Sequence, residues 1–119
     1  MKYIITYKQG DVVLIPFPFT DFTTIKQRPA LIVSSSTFNR SHEDVIVVAI
    51  TSHVQDKILF DEYLLSSKEL EEGGLPKSSV VKFGKIVTID QRLIRKHLGN
   101  LSVGSVKPII HNMMFKVFS

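Results

Sequence analysis

The chain has no cysteine and no tryptophan among its 119 residues. Lacking thiols, it can form neither disulfides nor thiolate metal sites, and nothing in it calls for an oxidising compartment. Long apolar runs are also missing. No stretch approaches the ~18 apolar residues of a membrane span, and Met1–Tyr7 is too short for the apolar centre of a signal peptide. A cytoplasmic protein without membrane attachment is expected. Acidic residues are scarce in the last third: Pro76–Ser119 holds eight Lys or Arg and the single acid Asp90. That local excess suits a polyanionic partner and would make binding salt-dependent, although a solvated basic surface has the same composition.

What is present is ordinary for a globular protein, with 44% hydrophobic and 22% charged residues and room for one core. No repeat, linker or low-complexity tract divides the chain, so residues 1–119 are expected to form one domain. Asp11–Phe17 reads as a strand whose end, at Pro16 and Pro18, must lie on an edge or a bulge. Residues 19–27 read as a hairpin loop long enough to act as a lid. Ala30–Ser34 and Val45–Thr51 are rich in Val and Ile, the pattern of central strands buried on both faces. Between them, Ser36–Arg40 reads as one helical turn or an irregular loop.

Lys57–Leu65 reads as a half-exposed strand. Ser67–Glu72 reads as a short helix that begins on a capping serine and stops at Gly73-Gly74. Ser79–Phe83 and Lys85–Ile89 are two strands, or one bent at Gly84. Asp90 is placed to cap a turn at Gln91–Leu93, and Ile94–Leu98 returns as a last strand. Val103, Val106, Ile110, Met113 and Val117 form the stripe of an amphipathic helix. Pro108 argues for Ser105 as its N-cap and a helix over 106–118, because an interior proline costs about 3 kcal/mol. The fold class is therefore mainly β with some α, many short strands and a C-terminal helix.

Several blocks stand in a fixed order: Gly10-Asp11-Val12-Val13, Arg28-Pro29-Ala30-Leu31-Ile32-Val33, Val48-Ala49-Ile50-Thr51-Ser52, Ser78-Ser79-Val80-Val81, Lys85-Ile86-Val87-Thr88-Ile89-Asp90 and Leu98-Gly99-Asn100-Leu101. Together they resemble the MazF/PemK-like toxin endoribonucleases of type II toxin-antitoxin systems, nearly end to end. The resemblance implies an SH3-like barrel of antiparallel strands. It also implies a toxin that cuts single-stranded RNA or mRNA at short specific sequences without a metal or other cofactor, leaving 2′,3′-cyclic phosphate and 5′-hydroxyl ends and so inhibiting translation and growth. The implied partners are a cognate antitoxin, whose complex with the toxin binds DNA, and a second copy of the chain in a homodimer.

Carried over residue by residue, the resemblance assigns catalysis to Arg28 and Thr51. A permanently charged guanidinium at Arg28 would stabilise the transition state and is a candidate donor to the leaving oxygen. The alternative for Arg28 is an ordinary ion pair with Asp21 or Asp11. Phe19, Lys26, Gln27, Ser52, His53 and Lys85 are the expected RNA contacts, with stacking of a base on Phe19 or Phe22; the alternative packs Phe17 in the core and one of the other two under the loop. Arg is a poor base, so the group that deprotonates the ribose 2′-hydroxyl is left open; His53 has a suitable chemistry but also reads as the first residue of a loop. His42, His97 and His111 show no metal-ligand spacing. One departure stands out: many relatives carry an acid and Gln where this chain has Gly84-Lys85. Two further readings are a catalytically inactive barrel that binds RNA or a peptide, and a gyrase-inhibiting toxin, whose relatives depend on a C-terminal tryptophan that this chain lacks.

Overall fold

Residues 6–18 and 25–119 are described by the structure, a computed structural model. Six antiparallel strands form one sheet: β1 (Asp11–Pro18), β2 (Ile25–Ile32), β3 (Asp44–Thr51), β4 (Glu62–Leu64), β5 (Val80–Asp90) and β6 (Lys96–Asn100). Their order across the sheet is β4-β5-β3-β2-β1-β6, so the two apolar strands β2 and β3 lie centrally, as their composition implies. The sheet is open among the described residues: β4 and β6 are its edges, and barrel closure through hydrogen bonds is not seen. The described residues also form three α-helices, α1 (Ser36–Ser41), α2 (Ser67–Glu72) and α3 (Val103–Phe118).

Alternation along the strands builds a core on each face. Val12, Leu31, Val48, Ile50, Val81 and Phe83 pack with Val106, Ile109 and Met113 of α3. On the other face Val13, Ile15, Phe17, Ala30, Ile32, Val45, Val47 and Ala49 form a second cluster. Phe17 is thus a core residue, as the alternative to stacking has it. Pairing of β1 with β6 ends at Leu14, so Pro16 and Pro18, which have no N–H to give, fall where β1 has β2 alone as a ladder partner.

Several boundaries move. Ile25, Lys26 and Gln27 pair with Pro18, Phe17 and Pro16, so they extend β2 rather than belong to a long loop. The lid expected over residues 19–27 otherwise falls on 19–24, outside the described residues, as do Phe19, Asp21 and Phe22. Only Glu62–Leu64 of the Lys57–Leu65 segment is a strand. A turn precedes it, closed by Glu62 N–H to the Leu59 carbonyl at 3.1 Å and by Leu59 N–H to Glu62 Oε1 at 3.0 Å. The last strand runs two residues later than expected.

Helix α2 is capped by Ser66, one residue before the expected position, in a reciprocal box with Glu69. It ends as expected at the glycines: Gly74 N–H bonds the Glu71 carbonyl and Leu75 N–H the Leu70 carbonyl, with Gly74 at φ 66°. A Cβ on Gly74 would also overlap the Leu98 carbonyl. Asp90 caps the 3-10 turn Gln91–Leu93, again as expected.

Helix α3 starts at Val103, not 106, and Pro108 lies inside it. The physical reason is twofold. Pro108 and Gly104, whose carbonyl loses its helical partner, both face solvent, where water can replace the missing bond. The first turn is also seated by Glu72, whose Oε1 accepts from Ser102 N–H at 3.2 Å and from Ser105 Oγ at 3.3 Å. The buried face is Val106, Ile109 and Met113, while Val103 is 71% exposed.

Candidate active site

Arg28 and Thr51 come together through strand register. Ala30 pairs with Ala49 across β2 and β3, and continuing that ladder by two residues sets Arg28 opposite Thr51 on the same face. Both line a cleft of about 190 Å³. The face of the second core cluster opens here into solvent, with Phe17 and Ala49 as its apolar floor. Thr51 Oγ1 accepts the His53 N–H at 3.1 Å, which fixes the hydroxyl at the strand end and leaves its hydrogen for an incoming acceptor.

His53 and Lys85 line the same cleft, both exposed. Ser52 is exposed but is not among the lining residues, consistent with the opposite direction of its side chain on the strand. Lys26 and Gln27 are exposed at the outer end of β2, also outside the cleft lining. Lys26 shares the Arg28 face by alternation. Phe19 lies outside the described residues. Asp11, one candidate partner for Arg28, is engaged elsewhere: its Oδ1 accepts from Asn100 Nδ2 at 2.8 Å and contacts His97 Nε2 at 3.0 Å.

Three lining residues escaped the sequence reading: Gln55, Glu62 and Lys82. Lys82 Nζ donates to Glu62 Oε2 at 2.7 Å, joining β5 to the edge strand β4. The Glu62 side chain is only 5% exposed and that of Lys82 30%. The Lys82 hydrogen bond, then the Leu59 N–H, hold the Glu62 carboxyl below its ordinary value of 4.5 despite the desolvation that opposes them. It is therefore ionised at neutral pH.

The bulge in β5 explains why Lys82 escaped notice. Val48 pairs with Ile86 but the next residue, Ala49, pairs with Lys82, so Phe83, Gly84 and Lys85 are extra residues in the ladder with β3. In an unbroken strand Lys82 and Ile86 would share a face. Here Ile86 packs on the α3 side while Lys82 turns to the cleft. The bend at Gly84 was legible; its effect on facing was not.

Electrostatically the cleft is cationic. Among its described lining residues, Arg28, Lys82 and Lys85 face one carboxylate, Glu62, for a formal net charge of +2 with His53 neutral. Such a pocket favours a phosphate, and its partly apolar floor strengthens each interaction. The rest of the basic C-terminal third is dispersed: Arg92 pairs with Asp90 and Glu43, and Lys107 donates to Gln9. No group of three or more His, Asp or Glu side chains converges as a metal site among the described residues. Nor is any described helix long and apolar enough to cross a membrane.

Comparison with solved structures gives the same architecture. An endoribonuclease in complex with its cognate antitoxin, from a Mycobacterial species, aligns with a TM-score of 0.71 at 18% identity, over 93% of this chain and 94% of that one. MazF of a MazE-MazF complex from Deinococcus radiodurans aligns at 0.64 and 21% identity, over 95% and 92%. Mycobacterium tuberculosis toxin MazF-mt6 aligns at 0.64 and 20% identity, over 87% and 94%. No curated protein matches the chain significantly. A model of the PemK-like, MazF-like toxin of type II toxin-antitoxin systems matches residues 8–112, and the chain belongs to that family.

Proposed function

We propose that this protein is the toxin of a type II toxin-antitoxin pair and cleaves single-stranded RNA without a metal, leaving 2′,3′-cyclic phosphate and 5′-hydroxyl ends. The observation that carries the reading is the convergence of Arg28 and Thr51, from neighbouring central strands, on one cationic cleft. Arg28 stabilises the charge that builds on the non-bridging phosphate oxygens, and the Thr51 hydroxyl holds one of those oxygens. Lys85 and His53 hold the RNA at the cleft, and Ser52, Lys26, Gln27 and Phe19 contact flanking nucleotides.

The partners follow from the same reading. A cognate antitoxin fits the structural relatives solved as toxin-antitoxin complexes. A second copy of the chain is supported by the apolar groove between α3 and the sheet, lined by Val33, Ile46, Ile86, Ile110, Met113 and Phe118. Phe118 and its neighbour Phe115 are 63% and 71% exposed, an apolar surface that an isolated chain would leave in water.

The binding-only reading rests on Gly84, where many relatives carry an acid. One experiment separates the two: purified, antitoxin-free protein is incubated with long, weakly structured RNA in EDTA, beside Arg28→Ala. Discrete cuts with 5′-hydroxyl ends that vanish in the variant are expected. Intact RNA after incubation with folded wild type would leave the binding-only barrel as the better description.

A further inference from the structure

The proposed reaction needs a group to take the 2′-hydroxyl proton and one to protonate the leaving 5′-oxygen. Arg28 is unsuited to the first task because its guanidinium does not deprotonate in a protein. Gly84, exposed in the β5 bulge, brings no side chain of its own. Among the described residues that line the cleft, Glu62 is the one carboxylate, and it is bonded to Lys82, a cation with a transferable proton. The two come from opposed positions on β4 and β5, fixed by the ladder pair Glu62↔Lys82.

Resting on the ribonuclease reading, we propose that Glu62 and Lys82 are the proton-transfer pair of this cleft. Glu62 takes the proton from the 2′-hydroxyl as its oxygen bonds to phosphorus. The bond from phosphorus to the 5′-oxygen breaks, and Lys82 gives that oxygen a proton. This leaves a neutral carboxylic acid beside a neutral amine. The acid proton then returns to Lys82 across the 2.7 Å contact, so the pair resets without a co-reactant. Both heads line the cleft that also holds Arg28 and Thr51. The near-complete burial of the Glu62 side chain keeps water from competing for it. A second bond, from Leu59 N–H to Oε1, fixes the carboxylate so that it is Oε2 that meets Lys82.

The bland alternative is a clasp that merely fastens the edge strand β4 to β5. Single-turnover cleavage in EDTA separates them, using an RNA the wild type cuts and its analogue with sulfur replacing the bridging 5′-oxygen. On the normal RNA, Glu62→Gln and Lys82→Met are expected to slow cleavage at least about 100-fold while RNA affinity holds within a few fold. On the sulfur substrate, whose thiolate departs without a proton, Lys82→Met should recover and Glu62→Gln should stay slow. A clasp predicts no such split. Glu62→Gln cutting normal RNA within about threefold of wild type, or equal defects that sulfur does not relieve, would overturn the assignment and leave the ribonuclease reading standing. Wild type that cuts no RNA at all removes both. If melting curves show either variant unfolded, Lys82→Arg, which keeps the ion pair but gives up no proton, decides: slow on normal RNA and recovered on the sulfur substrate upholds the pair, and wild-type rates on normal RNA overturn it.

Discussion

At Thr51 the hydroxyl is held by one backbone contact, and a β-branched residue suits the strand end on which it stands. Thr51→Val keeps the shape and removes the donor. Cleavage should fall about 100-fold, the scale of losing one preorganised donor to a developing oxyanion, while the melting temperature moves little because the freed His53 N–H can turn to water. Steady binding with lost turnover, read by filter binding beside a cleavage assay, checks it; unchanged turnover would remove Thr51 from the site. Arg28 and Thr51 were legible through the motif resemblance that singled them out and not through strand pattern, since Thr is at home in any strand. Glu62 and Lys82 were not, since one belongs to a three-residue edge strand hidden in an irregular segment and the other lies just before a bulge that turns it over.

Among the elements, α3 carries the clearest internal conflict. Its interior Pro108 gives up a helical bond to Gly104, and its N-cap residue Ser102 makes no side-chain cap bond. Pro108→Ala should restore the missing bond and raise stability by about 1 to 2 kcal/mol, the helix gain of ~3 kcal/mol being reduced by the greater freedom of the unfolded chain. Urea denaturation measures it, and a lower midpoint would mean that the proline is needed where it stands. Sequence reasoning placed this helix but started it three residues late, because local proline chemistry was weighed without Glu72, a partner thirty residues upstream of Ser102. The central strands were legible from Val and Ile runs, since burial on both faces leaves a compositional trace. Edge elements leave none, and β4 and β6 moved, as did the outer end of β2 beyond its Val and Ile run.

For the whole molecule, acid sensitivity follows from carboxylates bonded in the folded state. The Arg92 side chain and then its N–H bring Asp90 down to about 2 from 3.8, and Glu62 and Glu72 are also held below 4.5, by Lys82 and by the Ser102 N–H respectively. A lowered folded value means the stabilisation is complete above the unfolded value and disappears as pH falls through the folded one. Melting temperature should therefore hold from neutrality down to about pH 5 and drop between about 4.5 and 2. Tyr63 works in the other direction: desolvation, then the hydroxyl bond to Glu69, push its phenol up to about 12. Its share of stability is complete below 10 and lost as pH rises through 12. Melts across this range test both limbs, and Asp90→Asn should flatten the lowest part of the acid one.

The β5 bulge has a consequence for how such a cleft can diverge. Gly84 and Lys85 are exposed, sit outside the β3 ladder and follow a core anchor at Phe83, so they behave as a detachable tip on a fixed strand. Lengthening that tip by two glycines between Gly84 and Lys85 should leave the melting temperature nearly unchanged, since no buried side chain is re-aimed. Mapped cut sites should shift, because the tip moves over the nucleotides next to the scissile phosphate; an unchanged map would sink the idea. A toxin lineage could then trade one target vocabulary for another by editing two residues, with its hydrophobic architecture left untouched.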